Sequence, residues 1–212
     1  MEEFGIINFP AFLLAGILLN LTPGSDTIYI LARSISLGKK AGILSALGIS
    51  TGAVFHTLAA ACGLSVILAS SATTFLLVKY IGACYLVYLG VRSITAKSML
   101  IIPQGNIKKS ANYREIYVSG MLTNILNPKV ALFFLAFLPQ FIITGHEHSM
   151  VSFLILGATF IFTGTIWCLC LALFASLLTG KLTKRGTYVN FLHKVSGVIF
   201  IGLGVKLAFS GK

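Results

Sequence analysis

Long apolar stretches alternate with short polar connections along the chain. Each apolar stretch holds roughly the 20 residues that an α-helix needs to cross the hydrocarbon core of a bilayer. The pattern therefore predicts an all-α polytopic membrane protein with six transmembrane helices. The expected spans are residues 6–31, 42–69, 75–94, 116–144, 150–178 and 191–209.

Two of these spans are interrupted by residues that break helices. The first contains N-L-T-P-G-S-D at residues 20–26, and the fourth contains N-P-K at residues 127–129. Proline removes a backbone donor and glycine loosens the helix, so we expect breaks at Pro23, Gly24 and Pro128. Irregular backbone at membrane depth is tolerated only where protein buries it or where it lines a cavity. Broken helices 1 and 4 are therefore the first candidates for a transport site.

The second half of the chain resembles the first, with similar short motifs in the same order. Three spans in each half mean that the second copy enters the membrane from the opposite side, which is the 3+3 inverted repeat of secondary transporters. We expect one transporter domain over residues 1–212, with a first repeat at about 1–95, a linker at about 96–115 and a second repeat at about 116–212. The matching positions are Gly16 with Gly120, Leu18 with Leu122, Asn20 with Asn124, Thr51-Gly52 with Thr163-Gly164, and L-G-V-R at 89–92 with L-G-V-K at 203–206.

The two breaks are expected at different depths in the membrane. The rise of an α-helix places Pro128 about 18 Å from Ile116, near the bilayer middle. The same count places Pro23 about 26 Å from Ile6, in the cytoplasmic half.

The charges are few and unevenly distributed. Only 10% of the residues are charged and the mean hydropathy is +0.95, whereas soluble domains carry about 25% charged residues. Lysine and arginine gather in the connections after spans 1, 3 and 5, at 32–41, 95–115 and 179–190. By the positive-inside rule these connections are cytoplasmic and both termini are outside. The net charge of +11 is then explained by cytoplasmic loops, and no nucleic-acid partner is implied.

Asp26 and Lys129 are the charged residues that the breaks place inside predicted spans. A carboxylate in lipid costs ~2.5 kcal/mol or more unless it meets a partner or water. Asp26 is a candidate for binding a substrate ammonium or a transported proton; the alternative is a surface pair with Arg33 or Lys39. Lys129 is a candidate for pairing with Asp26 or for receiving a substrate carboxylate, and the alternative is a purely structural ion pair.

Asn20, Asn124, Asn127 and His56 are the remaining candidates. The three amides suit freed backbone groups and a ligand equally well. His56 has a reference pKa of ~6.5 that suits a proton relay, and the alternative is a satisfied interior histidine. The tryptophan and tyrosine residues are interpreted as core or interfacial. The chain has no nucleotide-binding glycine loop, nucleophile with a base, or metal-ligand spacing, so we expect neither an enzyme nor a cofactor or metal.

Four motifs together resemble the lysine-exporter superfamily (LysE/RhtB type), and within it the homoserine/threonine exporter branch. They are N-L-T-P-G-S-D at 20–26, G-x-x-x-G at 48–52, Y-L-V-Y-L-G at 85–90, and N-I-L-N-P-K-V-A-L-F-F-L-A-F-L-P-Q-F at 124–141. In that family the first motif usually reads P-G-P-D, and here Ser25 replaces the second proline. The resemblance implies an exporter of amino acids in the cytoplasmic (inner) membrane that exchanges its substrate for protons.

The residues also bear on substrate and partners. One acid and one lysine match the ammonium and carboxylate of a neutral amino acid such as homoserine, threonine or leucine, whereas a basic amino acid favours a further buried acid. An exporter of basic amino acids or of small cations is the alternative. A membrane thiol-electron carrier is a further alternative, but the four cysteines lie in spans 2, 3 and 5, and we expect none of them near Pro23 or Pro128. Close packing through Gly48 and Gly52 fits a contact within one chain or a homodimer.

Overall fold

Helices make up almost all of the residues that the computed structural model describes, which are 2–64, 72–95, 112–143, 146, 149–184 and 186–209. Extended pairing in this part of the chain is limited to an isolated antiparallel bridge between Ile6 and Ile142. The predicted all-α class is therefore confirmed for the described residues.

The helices follow the predicted apolar stretches. In chain order they are α1 (Phe9–Leu21), α2 (Ser25–Leu37), α3 (Lys39–Ala59, continued by a π-helical turn, Ala60–Leu64), α4 (Ala72–Thr95), α5 (Tyr113–Ile125), α6 (Pro128–Ala136, followed by a 3-10 turn, Leu138–Phe141), α7 (Ser149–Lys184, kinked at Phe174) and α8 (Gly186–Phe209).

Two helices in the described residues are long and apolar enough to cross a membrane alone, namely Lys39–Leu64 and Ser149–Ala175. The pairs α1/α2 and α5/α6 add two more if each bent pair is one span. The pairs bend by 48° and 49° at their breaks. The predicted interruptions of the first and fourth spans are thus present, and the full count of six spans stays a prediction.

The half-helices before the two breaks have the same length. Both α1 and α5 contain 13 residues, which corresponds to about 20 Å. The starting residues used for the depth count are corrected by the structure, and the depths of the breaks in the membrane stay a prediction. Ile6 belongs to an extended segment that ends at Asn8, whose φ of 50° is left-handed, while α5 begins three residues before Ile116.

The predicted polar connections at 32–41 and 179–190 are mostly helical. α2 continues to Leu37 and α3 begins at Lys39, so the chain turns at Gly38, whose φ of 88° suits glycine. α7 continues to Lys184 and α8 begins at Gly186. Lysine and arginine are good helix formers, so polarity at the membrane surface does not end a helix. Residues 72–74 of the predicted turn at 70–74 belong to α4, whereas the predicted turn at 145–149 and the linker at 96–115 lie largely outside the described residues.

Glycines bring α3 against α5 and α4 against α8. A Cβ on Gly48 would lie 2.2 Å from the carbonyl oxygen of Tyr117, and one on Gly52 would lie 2.7 Å from that of Met121. The G-x-x-x-G motif thus serves a contact within one chain. On the other side, a Cβ on Gly90 or on Gly197 would lie 2.6 Å from the carbonyl oxygen of the other.

We expect Gly197→Ala to destabilise the protein. The new methyl group would meet the Gly90 carbonyl at 2.6 Å and Ile94 at 2.5 Å, and overpacking of this kind costs about 1–3 kcal/mol. Gly202→Ala on the same helix is the matched control because nothing lies within 4 Å of its Cβ position. Thermal unfolding in detergent should show a lower midpoint for Gly197→Ala only. Equal midpoints would contradict the close α4/α8 contact.

Phenylalanines anchor the regions around both breaks. Phe12 of α1 packs against Phe133 of α6 with ring centroids 6.3 Å apart, and Phe133 packs against Phe160 of α7 at 5.1 Å. All three side chains are buried. This cluster holds α1, α6 and α7 together and so positions the polar groups at the breaks.

Candidate functional site

The two helix breaks, α3 and α7 surround a cavity with about 540 Å³ of atom-free space, part of it open to solvent. We call it the central cavity. Six of the predicted site residues line it, while His56, Pro23 and Pro128 do not. The six are Asn20, Gly24, Asp26, Asn124, Asn127 and Lys129.

Asp26 joins the first break to the second. It lies in the first turn of α2, and its Oδ2 accepts a hydrogen bond of 2.8 Å from Nδ2 of Asn124. Among the residues that the structure describes, Asp26 forms no ion pair. The guanidinium of Arg33 lies instead over the ring of Tyr29, 5.2 Å from its centroid, so the alternative of a surface ion pair is not what the structure shows.

Lys129 also bridges the two breaks. It lies in the first turn of α6, and its Nζ donates to the carbonyl oxygens of Leu19 at 2.8 Å and Thr22 at 2.7 Å. These carbonyls belong to the end of α1, where helix carbonyls lack partners and carry partial negative charge. Lys129 therefore caps α1 from the other half of the chain. It shares the central cavity with Asp26 but does not form an ion pair with it.

The half-helices after the breaks begin differently. Asn127, which is buried, caps α6 because its Oδ1 accepts a hydrogen bond of 3.0 Å from the backbone N–H of Lys129. The residue at the same position of α2 is Gly24, which has no side chain to cap the helix. The N-terminus of α2 therefore carries partial positive charge without a side-chain cap, and it borders the cavity.

Asn20 and Asn124 each pack against a glycine of the other half. Nδ2 of Asn20 lies 3.4 Å from Oγ1 of Thr163, and a Cβ on Gly164 would lie 3.1 Å from Oδ1 of Asn20. In the same way, a Cβ on Gly52 would lie 2.9 Å from Oδ1 of Asn124. Glycine at both positions lets the amides approach the helix backbone.

His56 of α3 contacts the end of α5, just before the second break. Its Nε2 is 3.0 Å from the carbonyl oxygen of Asn124. Because a carbonyl only accepts, Nε2 carries the hydrogen in this contact. The ring also lies 5.8 Å from that of Phe134. These contacts describe an interior histidine with a satisfied ring nitrogen, and a role in proton relay stays a prediction.

Trp167 and Cys168, which α7 supplies, are among the cavity residues that were not predicted from the sequence. Nε1 of Trp167 is buried and has no hydrogen-bond partner among the described residues. That this is the single tryptophan of the chain was the one available signal. Cys168 corrects the expectation that no cysteine lies near the breaks, because it lines the central cavity together with Asp26 and Lys129. All four cysteines are free.

A second cavity lies on the other side of the breaks, against α4 and α8, with about 870 Å³ of atom-free space. Pro23, Pro128 and Arg92 line it. Four residues, Thr22, Gly24, Asn127 and Lys129, border both cavities. The two breaks thus form the partition between the cavities.

Comparisons with known proteins identify the family of this chain. The family model of the LysE type translocators matches residues 17–211. The chain is 35% identical over 198 residues to the uncharacterized membrane protein YrhP of Bacillus subtilis, covering 90% of this chain and 93% of that one. It is 28% identical over 214 residues to a leucine efflux protein of Salmonella typhimurium and 29% identical over 207 residues to one of Klebsiella pneumoniae, with 97% of each chain covered. No solved structure gives a significant match. The chain therefore belongs to the LysE type translocator family, and it is a multi-pass membrane transporter and not an enzyme.

Proposed function

We propose that this protein is a secondary active exporter of neutral amino acids in the cytoplasmic membrane, driven by the proton gradient. The observation that carries the proposal is the central cavity, in which Asp26 of one broken helix and Lys129 of the other lie together without pairing. A cavity between two broken helices is the usual position of a substrate site in inverted-repeat transporters.

The polar groups of the cavity suit the two ends of an amino acid. The carboxylate of Asp26 is an acceptor for a substrate ammonium. A lysine ammonium has three N–H donors, and Lys129 uses two of them on backbone carbonyls, which leaves one for a substrate carboxylate. The uncapped N-terminus of α2 also favours a carboxylate.

The rest of the cavity wall favours an uncharged side chain. Its apolar residues include Ile49, Ala53, Val130 and Ile161. Asp26 is the one acidic residue among the described lining residues. The α-ammonium of a bound amino acid would already occupy it. A second ammonium, as in a basic amino acid, would have no acid to meet. Two of the relatives are named leucine efflux proteins, and this wall is chemically compatible with uncharged side chains such as those of leucine, threonine and homoserine.

Six spans in a 3+3 inverted repeat are part of the proposal, and reciprocal contacts support it. Asn20 packs against Gly164, and Asn124, its equivalent, packs against Gly52, the equivalent of Gly164. The nearly equal bends and the equal lengths of α1 and α5 support the same relation.

The α4/α8 contact has the same reciprocal character. Gly90 packs against Gly197, and Gly204, the equivalent of Gly90, packs against the carbonyl of Ala83. The same offset along the sequence relates Gly90 to Gly204 and Ala83 to Gly197. A pseudo-two-fold axis between the helices would produce this pairing.

We further propose that the lysine- and arginine-rich connections after spans 1, 3 and 5 are cytoplasmic, with both termini outside. Export would then load substrate from the cytoplasm, move it across the partition of Gly24, Asn127 and Lys129, and release it outside in exchange for protons. Asp26 is the first candidate for the proton carrier because it binds the substrate ammonium and the proton in turn. His56 is the second.

Counterflow in proteoliposomes tests the function. Vesicles loaded with one unlabelled amino acid at a time should accumulate labelled leucine when leucine, threonine or homoserine is inside, and much less when lysine is inside. An imposed pH gradient should drive net movement. Lysine as the preferred substrate would contradict the neutral-substrate proposal, and no response to any amino acid would contradict the function.

Two other classes fit the site less well. No group of three or more His, Cys, Asp or Glu side chains able to hold a metal ion occurs among the described residues, which disfavours a small-cation exporter. A thiol-electron carrier needs a cysteine pair at the breaks, and Cys168 is the one cysteine among the described residues of the cavity wall.

A cysteine-free variant, with alanine at all four positions, should therefore keep its counterflow rate within about twofold. Cys62 and Cys84 are exposed and Cys168 is buried, so a single Cys168→Ala variant serves as the control for a packing defect. Loss of transport in both variants, with thermal unfolding showing that both fold, would revive the thiol class because Cys168 is the cysteine at the cavity.

A further inference from the structure

Two residues that line the central cavity each carry a buried polar atom without a hydrogen-bond partner within the described residues. The two atoms are Oδ1 of Asn124, whose side chain is 3% exposed, and Nε1 of Trp167. A buried donor or acceptor that stays unpaired costs free energy, so such groups are normally satisfied by protein, water or a ligand. A third atom of this kind is Oγ of Ser34, a residue that does not line the cavity.

The two atoms are complementary in kind. The indole N–H of Trp167 is a donor only, and Oδ1 of Asn124 is an acceptor only. Nδ2 of Asn124 is already bonded to Asp26, so the same amide adds a neutral acceptor beside the carboxylate. An ammonium can donate to both at once, and a carboxylate can accept from the indole N–H.

We propose that Trp167 binds the substrate directly, its indole N–H donating to the substrate carboxylate, while Oδ1 of Asn124 and Asp26 accept from the substrate ammonium. The ligand class is an α-amino acid with both charged groups free and an uncharged side chain. This inference rests on the proposed function, and it adds the recognition of both ends of the substrate by named atoms.

Because Trp167 is the single tryptophan of the chain, its intrinsic fluorescence reports on the cavity without labelling. Purified protein in detergent is excited at the red edge of the indole band, where tyrosine does not absorb, and titrated with three ligands. These are leucine, 4-methylpentanoate (which lacks the ammonium) and leucinamide (which lacks the carboxylate). We expect a saturable change in emission with leucine, and none with the other two at up to about tenfold higher concentration.

Trp167→Phe tests the hydrogen bond, because phenylalanine keeps an aromatic ring and removes the N–H. Its KM for leucine in counterflow should rise about tenfold or more, with a smaller change in maximal rate. Phe162→Leu is the matched control on the same helix, since Phe162 is exposed and does not line the cavity. It should leave KM unchanged, and thermal unfolding should show that both variants fold.

The outcomes separate this inference from the function on which it rests. Wild-type counterflow without a fluorescence change, and with an unaltered KM in Trp167→Phe, would overturn the inference and leave the exporter standing. Equal fluorescence changes with all three ligands would also overturn it, as would a buried water that satisfies both atoms in the leucine-bound protein. If the wild type shows no counterflow of any amino acid, the proposed function itself fails.

Discussion

Asp26→Asn is expected to abolish amino-acid transport, lowering the initial counterflow rate about a hundredfold or more. Asparagine has nearly the same shape as aspartate, and its carbonyl oxygen can still accept the 2.8 Å hydrogen bond from Nδ2 of Asn124. The variant should therefore fold normally. It loses the negative charge that a substrate ammonium and a transported proton both require.

Two assays on this variant distinguish the two roles of Asp26. Counterflow needs substrate binding and exchange, whereas movement driven by a pH gradient also needs proton coupling. Loss of both assigns Asp26 to the substrate site, and loss of the second alone makes it the proton carrier only.

Glu115→Gln is the matched control for the charge change. Glu115 is exposed in the first turn of α5 and does not line the central cavity, so the rate should stay within about twofold of the wild type. If Asp26→Asn transports as fast as this control, Asp26 has no role in the mechanism, and residues 20–26 act as a hinge.

The breaks could be predicted from sequence because their residues act locally. Pro23 and Pro128 cannot donate a backbone hydrogen bond, and beside them stand Gly24 and Asn127, the residues at which the following helices begin. The similar order of motifs in the two halves added the expectation that the breaks meet. Asp26 and Lys129 do line one cavity, so their proximity could be predicted from the sequence.

The partners of these residues could not be predicted in the same way. Lys129 donates to carbonyls of Leu19 and Thr22, which lie more than a hundred residues earlier in the chain. A lysine and an aspartate in two broken spans suggest an ion pair, and sequence contains nothing that marks a free carbonyl at a helix end as the preferred acceptor. Which groups a side chain reaches depends on the packing of α1 against α6.

Trp167 was missed for a different physical reason. α7 is apolar almost all round, with residues such as Phe162 on its exposed side and Phe160 on its buried side. In a membrane the lipid-facing surface is as apolar as the core, so the polarity pattern of a soluble helix disappears. The face of α7 that carries Trp167, Cys168 and Gly164 into the cavity therefore cannot be told from the lipid-facing side by its polarity pattern.

Lys129→Met is expected to remove transport and also to destabilise the protein by about 3 kcal/mol or more. Methionine keeps much of the aliphatic stem but removes the ammonium that caps Leu19 and Thr22 at the end of α1. It also leaves Asp26 without a cation in the cavity. The measurements are the counterflow rate and the midpoint of thermal unfolding in detergent.

Lys40→Met is the matched control, because the ammonium of Lys40 lies over the ring of Tyr113 at an exposed position, 4.4 Å from its centroid. It should cost about 1 kcal/mol or less. An unfolding midpoint of Lys129→Met equal to that of Lys40→Met would contradict the capping role. If transport is nevertheless lost, Lys129 acts on the substrate alone.

The double variant Asp26→Asn with Lys129→Met decides whether the two charges depend on each other. If the electrostatic attraction of the two charges across the cavity contributes to stability, the double variant loses less free energy of unfolding than the two single variants together. The reason is that each single variant leaves one charge without its counter-charge, whereas the double variant leaves none. Additive losses would mean that Lys129 stabilises the fold only through the α1 carbonyls. We expect a coupling of about 1 kcal/mol, since both side chains line one cavity but hold separate hydrogen-bond partners. A coupling this weak is what a substrate site needs, because the ammonium and carboxylate of an amino acid can then enter between the two charges.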